Sequence, residues 1–434
     1  MKVVLTAIIL VLLSAPSARA IGMSHIDFDS WMAQQTEQSV HKMMANISPS
    51  GAAPGVVVAS PQPSGPNYLY HWVRDASLTM DVVVSLFART SDILEKNYYR
   101  DRLVEFARFS RRNQMTSTRG GMGEPKFNID GSAFNDDWCR PQNDGPALRA
   151  MTLIHFARLL LDQNPGDSLV RQELYDGRIP TSSVIKADLE FVSHHWRESS
   201  CDIWEEVEGD HFYTRLVQRR ALIEGAALAK RLGDDAAASW YISQASLLES
   251  EIFKFWDGSK GVFVPTLNWK KGIGYKSSGL DSQVVLGILH SEAFDFSDDH
   301  VQNTVSIISN QFQNQYPINH SGEGVGIGRY PEDVYDGARF QGGNPWVLIT
   351  ASFATIHYRA ATEWKARGDL NRYRTEVEAG DRYMKRIQAH ANPDGSLAEQ
   401  FDRQSGYMTS ARDLTWSYSE FIRASWARRA ALGL

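Results

Sequence analysis

Twelve apolar-periodic segments, with almost nothing strand-like between them, restrict the fold of this 434-residue chain more than any other feature. The spacing predicts helices near 27–47, 76–90, 92–115, 145–163, 183–199, 214–232, 234–256, 280–292, 298–315, 345–367, 370–390 and 413–431. Gly55 to Ala59 is the one stretch that reads as a strand, and it is short and isolated. The even-numbered helices are apolar almost all round: Leu78 to Phe87, Ala147 to Leu161, Val284 to Leu289 and Trp346 to Ile356. Such helices are buried on every side. Several odd-numbered ones, such as Ile93 to Met115 and Asn371 to Ala391, carry a polar face suited to an outer ring. The expected class is therefore all-α, an (α/α)6 barrel of six inner and six outer helices. A two-layer helical array is the competitor, since alternation alone does not prove closure. No Pro/Ser-rich linker divides the chain, so one catalytic-size domain over 21–434 is expected.

Loop lengths say where function would gather. Connections from inner to outer helix are tight, as at Thr90–Asp92, Gly233–Asp234 and Gly368–Asp369, with 163–182 the exception. Connections from outer to inner helix are long and hold the unusual residues. In a helical barrel these long loops share one end, where the positive dipole ends of the inner helices point.

Six such loops contribute. They carry Tyr68, Trp72, Arg74 and Asp75; Trp138 with Arg140; Asp202, Glu205 and Glu206; Trp269 through Asp281; Arg329, Asp333 and Tyr335; and Glu399 through Trp416. Glu205 and Glu399 are carboxylates set among Trp, Tyr and Arg with no metal motif between them, as glycosidic hydrolysis requires. Plainer readings stand beside this one. Asp75 could be an N-cap, Glu205 and Glu206 could be first-turn carboxylates answering a helix dipole, and Trp138, Trp346 and Trp416 could be core. The tandem at 205–206 also suits a protonated acid beside an ionised partner. The run from Gly322 to Gly328 lacks dinucleotide spacing, the 12 histidines show no paired metal spacing, and no Gly-x-Ser-x-Gly elbow occurs.

The formal charge of −6 argues against a nucleic-acid-binding face and suits a neutral substrate. Residues 1–20 read as a signal peptide: Lys2, an apolar run from Val3 to Leu13, and a small-x-small site at Ala18-Arg19-Ala20. A secreted, extracellular chain without a membrane anchor follows as the expectation. Cys139 and Cys201 are the only cysteines, and either one disulfide or two buried thiols fits. Asn46 and Asn319 open possible glycosylation sequons.

Several motifs together closely resemble the fungal-type glucoamylases of glycoside hydrolase family fifteen. They are Tyr-His-Trp-Val-Arg-Asp (70–75), Gly-Glu-Pro-Lys-Phe-Asn (123–128), Arg-Pro-Gln-Asn-Asp-Gly (140–145), Asp-Ile-Trp-Glu-Glu-Val (202–207), Gly-Arg-Tyr-Pro-Glu-Asp (328–333), Asn-Pro-Trp (344–346) and Ser-Ala-Arg-Asp-Leu-Thr-Trp-Ser-Tyr (410–418). The resemblance implies release of β-glucose from the non-reducing ends of α-1,4-glucans, with inversion. It implies Glu205 as general acid and Glu399 as general base. Arg74 and Asp75 would clamp the terminal glucose, with Arg329 a further ligand and Tyr68 beside the base. Trp138 and Glu206 would line the next sugar site, and Trp346 and Trp416 form the aromatic wall. Trp72, Asp202 and Tyr335 join them as substrate-binding candidates from the same loops. No cofactor or metal is expected, and the α-glucan or maltooligosaccharide is the one expected partner of a monomer. Cys139 and Cys201 depart from the pattern, and 336–342 is longer than usual. No starch-binding domain is recognised, which points to soluble maltooligosaccharides as substrates. The alternatives are an exo-α-glucosidase preferring α-1,6 links and a non-catalytic glucan-binding barrel.

Overall fold

The computed structural model describes residues 27–322 and 324–434. The expected signal peptide lies outside them. Among the described residues twelve α-helices form: α1 Phe28–Ala45, α2 Val73–Arg89, α3 Ile93–Met115, α4 Asp144–Gln163, α5 Val184–His195 and α6 Phe212–Leu232, then α7 Asp235–Ile252, α8 Gln283–Ser291, α9 Asp299–Gln315, α10 Val347–Ala366, α11 Leu370–His390 and α12 Thr415–Leu432. Helix α2 packs on α4, α4 on α6, α6 on α8, α8 on α10, α10 on α12, and α12 returns to α2. That ring is closed, which decides against the open array. Each inner helix also packs against an outer one, the pairs being α2·α3, α4·α5, α6·α7, α8·α9, α10·α11 and α1·α12. The chain is an (α/α)6 barrel.

Burial follows the alternation seen in sequence. Fifteen of the 20 residues of α4 are buried, against six of the 21 in α11. Each fully buried Leu, Ile or Phe of the inner ring contributes about 1.5–3 kcal/mol of transfer free energy. Phe87 of α2 and Phe156 of α4 meet edge to face at 5.8 Å between ring centres. Gly287 lets α8 come close to α6, since a Cβ there would lie 3.1 Å from the Cα of Tyr213.

The two rings begin differently. Outer helices α1, α3, α7, α9 and α11 each open on an aspartate, Asp27, Asp92, Asp234, Asp298 or Asp369, whose side chain accepts a first-turn N–H. At none of the six inner helices does the N-cap side chain do this, although Asp281, just before the cap of α8, accepts the Gln283 N–H at 2.9 Å. Loop backbone takes that place at four of them. Val73 N–H donates to Pro125 O at 2.9 Å, Phe212 to Pro265 at 3.0 Å, Val347 to Glu399 at 3.1 Å and Thr415 to Ala59 at 2.9 Å. Orphan donors of the inner ring thereby tie down the loops that carry the site. Helix α2 starts at Val73, so Asp75 sits inside its first turn and is not the N-cap.

Strands are few and short: β1 His71–Trp72, β2 Lys126–Phe127, β3 Ser200–Cys201, β4 Val207–His211, β5 Trp256–Asp257, β6 Val262–Phe263, β7 Thr266–Gly272, β8 Gln400–Phe401 and β9 Met408–Thr409. They pair antiparallel as β1–β2, β3–β4–β7, β5–β6 and β8–β9. The expected strand at Gly55–Ala59 is absent; Val57 makes only an isolated bridge to Ile47. Both sequons are corrected as well. Asn46 and Asn319 are buried, with their amide nitrogens donating inside the fold to Asp413 O and Thr415 Oγ1, and to Phe312 O and Gly326 O. The folded chain offers neither side chain to a glycan.

Candidate active site

A cavity of about 620 Å³ opens at the end of the barrel where the inner helices begin. Its lining includes Tyr68, Trp72, Arg74, Asp75, Trp138, Glu205, Glu206, Arg329, Tyr335, Trp346, Glu399 and Trp416. Twelve of the thirteen catalytic and substrate-binding candidates therefore meet in one place. Asp202 is the exception, and its reason is local. Residues 202–206 are the turn of the β3–β4 hairpin, not the start of a helix. Asp202 is fully buried, and its Oδ1 accepts the N–H groups of Glu206 at 2.8 Å and Val207 at 3.0 Å. Its carboxylate is spent on shaping the turn that presents Glu205.

Glu205 sits in that turn at φ 66°, a left-handed conformation unusual for a side chain with a Cβ. Trp72 Nε1 donates to its Oε1 at 2.8 Å and Gln142 Nε2 donates to the same oxygen at 3.0 Å. Two N–H donors on one oxygen make it the carbonyl-like one, so a proton on the acid belongs on Oε2. Glu206 turns to other partners: Arg329 Nη2 at 2.9 Å, the Tyr330 hydroxyl at 2.8 Å and Lys276 Nζ at 3.4 Å. The tandem glutamates are thus not two bare like charges. Burial still raises the Glu206 carboxyl, with Arg329 and Lys276 opposing.

Glu399 lies on the preceding edge of β8, almost completely buried. Ser410 Oγ donates to its Oε2 in a short hydrogen bond, and Gln400 Nε2 donates to the same oxygen at 3.0 Å. The Tyr68 hydroxyl is a third hydrogen-bond neighbour. Burial pushes Glu399 up to about 7, while Ser410, Tyr68, Arg329 and Gln400 favour its ionised form. No hydrogen bond joins Glu205 to Glu399 among the described residues.

Arg74 lines the cavity and is itself buried. Its Nη1 donates to Gln142 Oε1 at 2.9 Å and Asp144 Oδ2 at 3.2 Å, and its Nε stands 3.4 Å from Asp75 Oδ2. Arg74 Nε and Asp75 Oδ2 have no hydrogen-bond partner, a donor and an acceptor side by side in the cavity lining. Burial, with Glu205 and Asp144 nearby, pushes Asp75 up to about 6 although Arg74 opposes it. Arg329 is held flat by Asp333 through bonds of 2.8 and 2.6 Å and is ringed by Trp204, Tyr330, Tyr335 and Trp346 at 5.2–5.5 Å. This pairing of aromatic faces with fixed polar groups suits a sugar, whose ring has apolar faces and a hydroxyl rim.

The structure adds residues that sequence reasoning missed. Trp204 lines the cavity and is anchored by Asp281 at 2.8 Å. Lys126, buried on β2, holds its ammonium 3.2–4.6 Å from the ring centres of Trp138, Phe134, Tyr70 and Trp72. Burial lowers it to about 8, and Glu205 opposes that fall. A lysine flanked by Pro125 and Phe127 was the available signal. Gln142, which joins Glu205 to Arg74, stands in the motif at 140–145, and Lys276, which meets Asp202, Glu206 and Asp281 at 3.2–3.4 Å, in the loop from Trp269 to Asp281; their segments were the only signal. Cys139 and Cys201 are joined in a disulfide that clips the Trp138 loop to the Glu205 hairpin.

Known proteins agree with this geometry. Residues 37–426 match the pattern of glycosyl hydrolases family 15. A glucoamylase of Blastobotrys adeninivorans is 36% identical over 93% of this chain and 72% of its own length. A probable glucoamylase of Schizosaccharomyces pombe is 35% identical, with 93% of each chain covered. Among solved structures, a glucoamylase from Saccharomycopsis fibuligera superposes with a TM-score of 0.86 at 30% identity, covering 95% of this chain and 97% of that one. The closed barrel, the shared cavity and these relatives place the chain in glycosyl hydrolase family 15, as a glucoamylase-type enzyme.

Proposed function

We propose that this enzyme is secreted and removes single glucose units from the non-reducing ends of α-1,4-glucans by one displacement with inversion. The observation that carries the reading is the single cavity in which Glu205 and Glu399 hang on separate donor sets, above a buried Arg74–Asp75 pair. An unpartnered donor and acceptor side by side in the cavity suit the neighbouring hydroxyls of a terminal sugar, which fits exo action. Arg74 Nε and Asp75 Oδ2 then bind neighbouring hydroxyls of the terminal glucose through charge-assisted bonds.

In the proposed reaction Glu205 Oε2 gives its proton to the glycosidic oxygen. Glu399 draws a proton from a water that attacks the opposite face of C1. Three donors around Glu399 favour the carboxylate a base needs, and Tyr68 stays protonated because burial and Glu399 raise it well above 10. Inversion requires the two carboxyl groups roughly 6.5–9.5 Å apart, with the water between. Proton transfer by each group contributes about 10²–10⁴-fold. Glu205→Gln and Glu399→Gln should each lose at least that in kcat while folding normally, and a mild loss at either position refutes the roles. Glucose released from maltotetraose, followed by rapid NMR, should first appear as the β-anomer. Rates on maltose, isomaltose and soluble starch separate this activity from an α-1,6-preferring one. Secretion rests on the N-terminal segment and the disulfide, and activity confined to the cell lysate would refute it.

A further inference from the structure

Glu420 lies on α12 one turn beyond Trp416 and is fully buried, yet the reaction above gives it no task. Trp416 Nε1 donates to its Oε1 at 3.0 Å. His290 Nε2 reaches the same oxygen at 3.2 Å, and Ser352 Oγ donates to Oε2 at 3.5 Å. The other ring nitrogen of His290 meets the Tyr213 hydroxyl at 3.0 Å. Arg423 stands 3.9 Å from Glu420 Oε1 and pairs with Asp81 at 2.8 Å. One carboxylate thus gathers α6, α8, α10 and α12, and through Asp81 it reaches α2.

A buried carboxylate is costly unless its oxygens are used. Here the most direct use faces the active site. Trp416 lines the cavity, and the Arg74 guanidinium lies 5.8 Å over its ring. The χ2 torsion of an indole is a broad well, so packing alone leaves the ring free to tilt. A hydrogen bond from Nε1 to a fixed anion removes that freedom. On the far side, the cavity of about 690 Å³ at the opposite mouth is lined by Asp81, His155, His290 and Arg423. His155 is already held between Asp81 at 2.6 Å and Glu224 at 2.8 Å, so these charges answer one another and call for no ligand. They serve as the footing of a strut whose head is Trp416.

We propose that Glu420 is a positioning residue for the glucosidase reaction: it fixes the Trp416 indole, and through that ring the Arg74 clamp, from inside the barrel. The inference rests on Trp416 being a wall of the sugar pocket. Glu420→Leu removes the acceptor, Glu420→Gln keeps an acceptor oxygen, and Trp416→Phe removes the N–H. With maltose and active-site-titrated enzyme, Glu420→Leu should lose about tenfold in kcat/KM, chiefly as a higher KM, because wall and clamp hold the sugar in ground and transition states alike. Glu420→Gln should recover most of that loss. In a Trp416→Phe background Glu420→Leu should add nothing further. The indole N–H peak that vanishes in Trp416→Phe should also shift in a ¹⁵N–¹H spectrum of Glu420→Gln, which decides the matter even if the Leu variant does not fold. Losses that multiply in the double variant, or an unmoved peak, would overturn the strut while leaving the wall intact. Full activity in Trp416→Phe would remove the wall itself, and the strut with it.

Discussion

Ser410 gives the sharpest handle on the proposed base. Its hydroxyl donates to Glu399 Oε2, and Glu399 is pushed up to about 7 by burial against the pull of that bond. Ser410→Ala deletes one donor and adds no atom, so the space around it stays sufficient. A hydrogen bond to a charged group is worth about 1.5–3 kcal/mol. About 1.36 kcal/mol moves a pKa by one unit, so complete loss would raise Glu399 by about one to two units. Tyr68 and Gln400 stay in place, and water entering the cavity replaces part of the bond. A rise of about one unit is therefore expected. The sign is fixed: losing a donor to the carboxylate favours the protonated form, and a protonated Glu399 cannot act as base. The acid limb of kcat/KM against pH reports the free enzyme's essential base. For maltose hydrolysis that limb should move about one unit toward higher pH, with the plateau rate reduced only a few-fold. An acid limb that stays put or moves to lower pH would refute the assignment of Glu399.

Other outcomes follow from the same charges. Because folding raises Glu399 from 4.5 to about 7, the stability it contributes is complete below 4.5 and is lost as pH rises through about 7. Glu399→Gln should therefore raise Tm relative to the parent enzyme above pH 7 and change it little at acid pH. Lys276 is the cation shared by Asp202, Glu206 and Asp281, so Lys276→Met leaves buried carboxylates uncompensated. A loss of about 3–5 kcal/mol should appear in urea denaturation. The disulfide spans 62 residues, and chain entropy assigns such a loop about 4 kcal/mol. Cys139→Ser combined with Cys201→Ser should lose much of that, as read from the denaturant midpoint of non-reduced protein.

Helices were legible because burial on all sides writes itself as unbroken apolar runs, and α4 and α10 show it most plainly. The site was legible because long outer-to-inner loops carry residues that no core needs. What escaped depends on partners distant in sequence. Asp202 reads as a site carboxylate until the turn is folded and its oxygens are found on the N–H groups of Glu206 and Val207. The sequons at Asn46 and Asn319 obey a local pattern, whereas burial is a property of the assembled barrel. Short strands such as β3 and β8, two residues each, are set by pairing and not by propensity. Trp204 looks like core material and Lys126 like a solvated cation, and only the assembled barrel brings both to the cavity.

Left-handed backbone occurs both at helix ends and beside the proposed chemistry. At the ends of α6 and α12 the chain turns left-handed, and there it uses Gly233 and Gly433 at φ 87° and 79°. Glycine meets that geometry without a Cβ penalty. Glu205 and Ser410 adopt φ 66° and 67° with full side chains. Such residues cost of order 1–3 kcal/mol each and persist only where their surroundings over-determine them. Asp202 does so for the first, fixing two amides of the turn, and Trp72 and Gln142 hold the carboxyl itself. Gly337, packed against Ser410 with no room for a Cβ, helps to do so for the second. Glycine would relax both turns, but it would remove the proposed proton donor at one and the partner of the proposed base at the other. At these two positions strain is thus borne next to the proposed proton transfers, and the buried charges around them hold the geometry in place.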